Sequence, residues 1–344
     1  TFRIGNEIKE ISKDHVVNND GTRTEFSDLF TGFGSATYPF TGNFEGIYTS
    51  GDVIYKLSTP LFDYLGEGAT ISNLTLEGQS GCNAGIAKKI VSSSDDATVS
   101  LKDITLKGTL SDSGNVGMIV ADIGDDVSLT LTNVDVNMTV ESSGGNAGGI
   151  AGSVGKDFQV TSTGSTIAGT VKGQAAAGGY FGTVTGSYTW DRSSTTLADG
   201  VSVVGNGGYN GQFAGKLCKA RKGDTVFTVK NSGDITLEAK VSGTGTSGGL
   251  FGVCEAGTKL EIENALTVQG TVGNNEAAAA GGLLGKIEAD FTLNMKSFQN
   301  NASVVGTQAS GGMFGEISSP FKMTKPSDAE ININRAVGGG NGSA

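Results

Sequence analysis

The chain has 344 residues, 56 of them glycine and only 4 proline. Glycine is thus about 16% of the chain, against a usual ~7%. Collagen is nevertheless excluded, because glycine does not recur at every third position and proline is scarce. The net charge of −11 argues against a nucleic-acid partner and against anionic lipid surfaces, since both require clustered Lys and Arg.

Residues 1–58 show no internal repeat, and we predict that they form an N-terminal capping region. The stretch from Phe2 to Lys13 mixes charged and apolar residues, which suits a short helix or a cap strand. His15 is the only histidine of the chain. Ser–His–Asp or Cys–His catalysis would therefore depend on this one residue, and no motif around it supports such chemistry.

A motif of a small residue, a bulky apolar pair and glycine recurs along most of the chain. Its copies start at Gly149, Gly179, Gln212, Gly249, Gly282 and Gly312, with weaker copies at Gly85 and Gly117. The mean step is about 32 residues, a period typical of solenoids. We expect an all-β, right-handed parallel β-helix over 59–335, with eight or nine coils of three short strands. A flexible glycine-rich tail is expected over 336–344.

A second landmark keeps step with the first. It is an alternating apolar and polar segment that ends in a small polar residue, and it occurs at 71–73, 101–103, 131–133, 262–264 and 295–297. Alternation predicts strands with one buried face. Asn or Asp at the end of a strand favours a bend, because both residues tolerate the left-handed conformation.

Stacking explains why such a repeat can fold. One coil cannot bury its own apolar face, but neighbouring coils bury each other's and align equivalent residues, such as Leu250, Leu283 and Met313, into ladders. A β-propeller is the alternative, but its blades need about 40 residues and antiparallel hairpins. A β-sandwich is disfavoured as well, because Asn-Gly hairpin turns are few.

The candidate binding residues lie where the period is broken. Lys219, Arg221 and Lys222 belong to the longest step and, with Lys216, form the only basic cluster. They predict either a solvated turn or a contact for an acidic glycan or protein. Tyr209 and Asn210 lie in a glycine-rich run that predicts an exposed loop. Alignment of the repeats instead places Tyr188 and Trp190 inward, near Phe227 and Val229.

The sequence gives little support for a metal site, a disulfide bridge or an ice-binding surface. Two acidic pairs, Asp95-Asp96 and Asp125-Asp126, favour solvated turns, with a shallow structural calcium site as the alternative. We therefore predict no cofactor and no metal site. Cys218 and Cys254 lie one repeat apart and favour two small buried residues over a disulfide bridge. The Thr-x-Thr segment at Thr130–Thr132 is expected to stand alone, which disfavours ice binding.

The repeats resemble those of a known family. Gly249-Gly-Leu-Phe-Gly, Gly282-Gly-Leu-Leu-Gly and Gly312-Gly-Met-Phe-Gly are similar to the GLUG-type repeats of bacterial surface proteins. Phe40-Thr-Gly-Asn-Phe-Glu-Gly is similar to the segment that precedes the first repeat in such proteins. The resemblance covers about 36–317 and implies a secreted or wall-attached protein of adhesin type. It carries over no functional residues, because the motif is structural.

These observations favour a non-catalytic extracellular binding or spacer module on the bacterial cell surface, excised from a longer protein. Its expected partners are a host or microbial surface glycan or protein and the neighbouring modules of the parent chain. No apolar run approaches the ~18 residues that a membrane span requires, so we expect no direct membrane insertion. The alternative is a polysaccharide-active lyase or hydrolase, which would need clustered carboxylates and a basic residue in one groove.

Overall fold

The computed structural model describes residues 2–4, 8–12, 14–18, 20–26, 29–46, 54–93, 97–191, 200–220, 225–318, 320–325, 330–334 and 337–338. These residues form β-strands and no helix. No described segment is therefore a helix that could span a membrane.

The first half of the described chain contains strands β1 to β17. Their bounds are Phe2–Ile4, Ile8–Ile11, His15–Asn18, Arg23–Glu25, Asn43–Gly46, Ile54–Leu57, Phe62–Leu65, Thr70–Ser80, Ala87–Ile90, Ala97–Asp112, Val116–Gly117, Val120–Ile123, Val127–Ser142, Asn146–Gly148, Ala151–Val154, Gln159–Thr163 and Thr166–Gly173.

The second half contains β18 to β34. Their bounds are Ala176–Gly178, Phe181–Thr185, Tyr188–Asp191, Gly200–Gly211, Ala214–Cys218, Thr225–Lys230, Ile235–Gly248, Phe251–Cys254, Thr258–Gly273, Ala277–Gly281, Leu284–Ile287, Thr292–Val305, Ala309–Gly311, Phe314–Ile317, Lys322–Thr324, Ile331–Ile333 and Val337–Gly338.

The strands stack as the coils of a parallel β-solenoid, which confirms the predicted fold. A typical coil consists of a long bent strand, β13, followed by the short strands β14 and β15. One lateral sheet runs through the whole stack and consists of β7, β9, β12, β15, β19, β22, β25, β28 and β31. The coils average about 31 residues and make about eight turns, close to the period that the repeats predict.

Apolar ladders fill the core. Phe251 pairs in register with Ala214 on one side and with Leu284 on the other. The preceding position forms a second ladder, in which Leu250, Leu283 and Met313 are all buried, as expected from the sequence. Because each inward side chain contacts its equivalents above and below, every coil removes apolar surface from water on both of its faces.

The glycine motif makes a tight reversal of the chain. A Cβ atom on Gly148 would collide with the carbonyl oxygen of Ala151 and with the backbone of the next coil. Only glycine allows the chain to fold back at this distance. One anchor is displaced from its predicted position, because Gly117 pairs with Gly148, and Met118 therefore occupies the level of Gly149.

The second landmark is a left-handed bend in three coils. Asn73, Asp103 and Asn133 have φ angles of 56°, 52° and 53°, as the sequence suggests. The Asn133 side-chain amide also donates to the Asp103 carboxylate at 2.9 Å, which links the bends of adjacent coils.

Gln212, which replaces glycine in the motif, has a structural role. Its side chain is almost fully buried, and its amide nitrogen donates to the Val201 carbonyl at 3.0 Å. Its amide oxygen accepts the Lys240 backbone N–H at 2.8 Å. The side-chain amide thus inserts between β21 and β24, whose ladder pairing starts only at Val203.

The described residues before 58 pair with the solenoid. Strands β5 and β6 lie parallel to β8, and β1 lies parallel to β5. Strand β2 lies parallel to β6 but antiparallel to β3, and β3 is antiparallel to β4; the described residues of the repeats contain no antiparallel pair. Most of the predicted tail lies outside the described residues, but Val337–Gly338 pairs with the end of β29.

Candidate functional site: a groove between two coils

The solenoid face opens between β16 and β20. Strand β16 pairs with β13, and β20 pairs with β23, but no ladder among the described residues joins β16 to β20. The coils are in contact again where Ala168 of β17 pairs with Gly200 of β21. A groove with a cavity volume of about 570 Å³ lies at this opening.

The two coils touch just before the groove begins. Gly186 packs directly against Lys156, and the rings of Phe158 and Tyr188 stack with centroids 4.2 Å apart. At the next inward position, the buried side chains of the two adjacent coils differ strongly in size, with Val160 on β16 and Trp190 on β20. Close-packed cores respond to such a change in side-chain volume by shifting the backbone. Trp190 nevertheless pairs in register with Val229 on its other side, so this difference in side-chain volume does not by itself account for the separation of the strands.

Tyr188 and Trp190 themselves lie where the repeat alignment predicts. Tyr188 pairs with Phe227 and Trp190 with Val229, and both side chains are buried. Burial raises the pKa of the Tyr188 hydroxyl, which therefore stays protonated at neutral pH. Both rings therefore belong to the core, as the alignment of the repeats predicts.

The walls of the groove are polar side chains from three strands. Outward-facing Gln159 and Thr161 lie on β16, and Thr189 lies on β20 in register with Thr228 on β23. The buried side chains of Phe158, Val160 and Tyr188 also line the groove. The site therefore combines hydroxyl and amide walls with an apolar floor.

Charges in the groove are largely paired. The Lys230 ammonium lies 3.5 Å from the Asp191 carboxylate on one wall. At the contact end, Lys156 lies 3.5 Å from both Asp126 and Asp157. The Asp126 carboxylate in particular raises the pKa of Lys156. The groove thus presents no strong field of one sign.

Tyr209 lies in a strand, so the predicted loop is wrong. It belongs to β21, pairs with Ala176 and Thr246, and its side chain is only half-exposed. The glycine-rich sequence continues this strand instead of ending it. The left-handed Gly207 lies in a bulge of the ladder between β21 and β24. The Lys216 ammonium lies 6.0 Å from the Tyr209 ring centroid.

Asn210 is a buried side chain and not an exposed polar contact. It has no accessible surface, and its amide donates to the Thr244 carbonyl at 2.9 Å. Its register neighbours are Ala177 and Ser247. The sequence suggested exposure because glycines surround Asn210, but those glycines leave room for its side chain, which packs against Gly205.

The basic cluster is organised around Glu255. One oxygen of this carboxylate contacts the Lys216 ammonium at 2.5 Å, and the other accepts the Lys219 backbone N–H at 3.1 Å. The Lys219 side chain is exposed. Arg221 and Lys222 lie outside the described residues. The structure thus connects Tyr209 and Lys219 through Lys216 and Glu255, and their role in binding stays a prediction.

His15 lies in a local turn with Ser12 and Asp14. Its Nδ1 atom contacts both the Ser12 hydroxyl at 2.7 Å and the Asp14 carboxylate at 2.6 Å. A catalytic triad instead uses the two ring nitrogens for different partners. Asp14, His15 and Glu25 could also hold a metal ion, but Arg23 forms ion pairs with both carboxylates and supplies the positive charge.

The described half of the alternative calcium site already has partners within the chain. The Asp125 carboxylate accepts the Lys156 backbone N–H at 2.8 Å, and Asp126 is ion-paired with the Lys156 side chain. Asp95 and Asp96 lie outside the described residues. The expectation of no metal, with a structural calcium ion as the alternative, stays a prediction.

Cys218 and Cys254 are free and face different sides of the lateral sheet. Cys254 pairs with Leu217 in a core ladder, so Cys218, one residue later, points to the opposite face. This arrangement agrees with the expectation of small buried residues for Cys254, while Cys218 is half-buried.

The Thr-x-Thr segment does recur, contrary to expectation. Thr130 pairs with Thr161, and Thr132 pairs with Thr163. The preceding strand places Ser100 and Lys102 at these levels, and the groove follows β16. The hydroxyl pairs thus span two strands, and the charged Lys102 borders them.

Sequence reasoning missed the groove, although one signal pointed to it. The polar landmark that ends at Asn73, Asp103 and Asn133 is absent after β16, where glycine stands at position 164, and it returns at Asn231, in register with Asn264. This interruption marks the coils in which the ladder opens. No family model, curated protein or solved structure matches the chain.

Proposed function

We propose that the chain is a non-catalytic binding or spacer module of a large bacterial surface protein, and that its solenoid face contacts a glycan or protein partner. One contrast supports this proposal. Inward ladders stay apolar from coil to coil, whereas outward ladders change chemistry. One outward ladder reads Tyr64, Lys89, Asp122, Ser153, Thr183, Lys216, Val253, Lys286 and Glu316, of which Thr183 and Val253 are buried.

This contrast is what a display scaffold requires. A constant core keeps the backbone rigid, and variable outward positions create a surface that differs along the stack. The close glycine contacts at the chain reversals agree with GLUG-type repeats, which we propose these to be. An extracellular location on the bacterial surface, beside neighbouring modules of the parent chain, is part of the same proposal.

A polysaccharide-active enzyme is the second candidate. The groove does contain Asp157, Asp191 and Lys230, the carboxylates and base that such an enzyme would use. Lys230 is ion-paired with Asp191, however, and Asp157 with Lys156. We favour binding because these contacts occupy the charged groups within the protein.

A paired assay separates the two candidates. The purified chain is applied to a glycan array and to intact bacterial and host cells, and is also incubated with the same polysaccharides. Mass spectrometry of the incubated polysaccharides then detects cleavage. The module proposal expects retention without shortened products. Turnover of any polysaccharide would overturn it in favour of the enzyme.

A further inference from the structure

The groove between β16 and β20 has the dimensions of a site for a chain-like ligand. Its longer described wall, β16, has five residues, which span about 16 Å at the rise of a β-strand. The groove is wider than a normal ladder spacing, because β16 and β20 are not paired. A ligand that lies along the strands would contact side chains of three strands at once.

The walls offer neutral hydrogen-bonding groups. Thr161, Thr189 and Thr228 line the groove with hydroxyl groups, and Gln159 with a carboxamide. The Thr161 hydroxyl donates to Thr130 at 3.3 Å and the Thr228 hydroxyl bonds Glu261, so these two oxygens remain acceptors for a ligand. Hydroxyl and amide groups both donate and accept, so they complement ligands that carry hydroxyl groups. The charged lining residues are compensated within the chain, Asp191 by Lys230 and Asp157 by Lys156. This balance disfavours strongly anionic or cationic ligands.

The floor of the groove is apolar, and residues on both of its rims already interact with other parts of the chain. Phe158 and Tyr188 lie below the groove as a stacked pair, and an apolar floor suits the C–H faces of sugar rings. Val160 and Asp191 on the two rims have further interactions within the chain. The side chains, rather than a free backbone edge, are therefore available to a ligand, which disfavours addition of a peptide strand.

We propose that this groove binds a neutral oligosaccharide, lying along β16 and β20 and hydrogen-bonded to Gln159, Thr161, Thr189 and Thr228. This inference rests on the proposed binding function and assigns it a site and a ligand class. It also separates the groove from the basic cluster around Glu255, where an acidic ligand was expected.

The test uses the whole chain and four neutral tetrasaccharides, namely cellotetraose, xylotetraose, mannotetraose and maltotetraose, with tetragalacturonic acid as the anionic comparison. Binding is measured by isothermal titration calorimetry. At least one neutral tetrasaccharide should bind, and more tightly than the anionic one. Binding of tetragalacturonic acid alone would overturn the ligand class.

Two variants locate the site. Thr189→Val and Thr228→Val keep the shape of the side chain but remove a hydroxyl, and each should weaken binding about tenfold, the effect of one lost hydrogen bond. Thr139→Val is the matched control, because Thr139 is an outward threonine of β13 that does not line the groove. Circular dichroism confirms that each variant is folded.

The outcomes distinguish this inference from the proposed function. Glycan binding that is unchanged by both groove variants would place the site elsewhere and overturn the inference, while the module function would stand. Binding of extended peptides that is lost in Thr189→Val would overturn the ligand class. Failure to bind any glycan, protein or cell would overturn both.

Discussion

Phe158 and Tyr188 stack almost face to face, with ring planes only 4° apart, on the last rung before the solenoid opens. Because Phe158 is buried, truncation to alanine leaves a cavity. We expect Phe158→Ala to lower the free energy of unfolding by about 3–5 kcal/mol, measured by urea denaturation. Tyr38→Ala is the control, since Tyr38 is 80% exposed. If Phe158→Ala and Tyr38→Ala were equally stable, Phe158 would not be packed in the core against Tyr188.

Restoring the glycine of the repeat motif at Gln212 should destabilise the folded chain. Gln212→Gly recreates the consensus glycine but removes the hydrogen bonds to Val201 and Lys240. We expect a loss of about 1–3 kcal/mol in the free energy of unfolding. Gln269→Ala is the matched control, because the exposed Gln269 amide bonds Glu238 at the surface. A stabilised Gln212→Gly variant would contradict the bridging role.

At the Asn133 bend, a glycine variant should be more stable than an alanine variant, the reverse of the usual order in a strand. At a φ of 53°, alanine is strained by about 1–2 kcal/mol, whereas glycine is not. Asn133→Gly should therefore be more stable than Asn133→Ala, as measured by the urea midpoint. At Asn137, elsewhere in β13 and without a positive φ, the order should be reversed. The same order at both positions would argue against the bend.

Asp122 predicts a pH-dependent difference in stability. Desolvation raises the pKa of its carboxyl group, against the lowering effects of Asn115, Lys89 and Lys88. The folded chain therefore holds this proton more readily than the unfolded chain does. The stability that the group contributes is complete below the unfolded pKa of about 3.8 and is lost as the pH rises through the folded value.

Asp122→Asn should remove this dependence. The variant should gain stability relative to the wild type between pH 3 and pH 7, measured by urea denaturation at both values. Asp234→Asn, at an exposed aspartate of a turn, is the control and should show a smaller change. A wild-type advantage that grows with pH would show that Asp122 is stabilised as the anion.

The cysteines should be free and slow to react. Burial raises the pKa of Cys218 to about 12 and that of Cys254 well above its ordinary value. Because the thiolate is the reactive form, thiol reagents should modify the native chain slowly and all three thiols quickly in denaturant. Mass spectrometry of the alkylated chain checks the count. A shift of two hydrogens before reduction would reveal a disulfide.

The repeat made the fold predictable because it specifies local chemistry in every coil. Inward Tyr188 and Trp190 follow from alignment alone, and left-handed Asn133 follows from its residue type and position. The same method failed at Tyr209 and Asn210, where glycines suggested a loop. Whether glycine extends a strand or ends it depends on what the neighbouring coil packs against it, and the local sequence does not contain that information.

The groove was beyond prediction for a related reason. It lies between Val160 and Trp190, which belong to neighbouring coils about 30 residues apart. Periodicity describes what the coils share, whereas the opening depends on how two particular coils differ. The missing polar landmark shows that the pattern is interrupted, but it does not specify that the strands separate there.

Hydrogen exchange with the tightest neutral tetrasaccharide bound tests the central claim most directly. The account predicts slower exchange in three segments, 157–161, 187–191 and 226–230, which line the groove, and no change around Tyr209 and Lys219. Protection at Tyr209 and Lys219 with none in these three segments would contradict it.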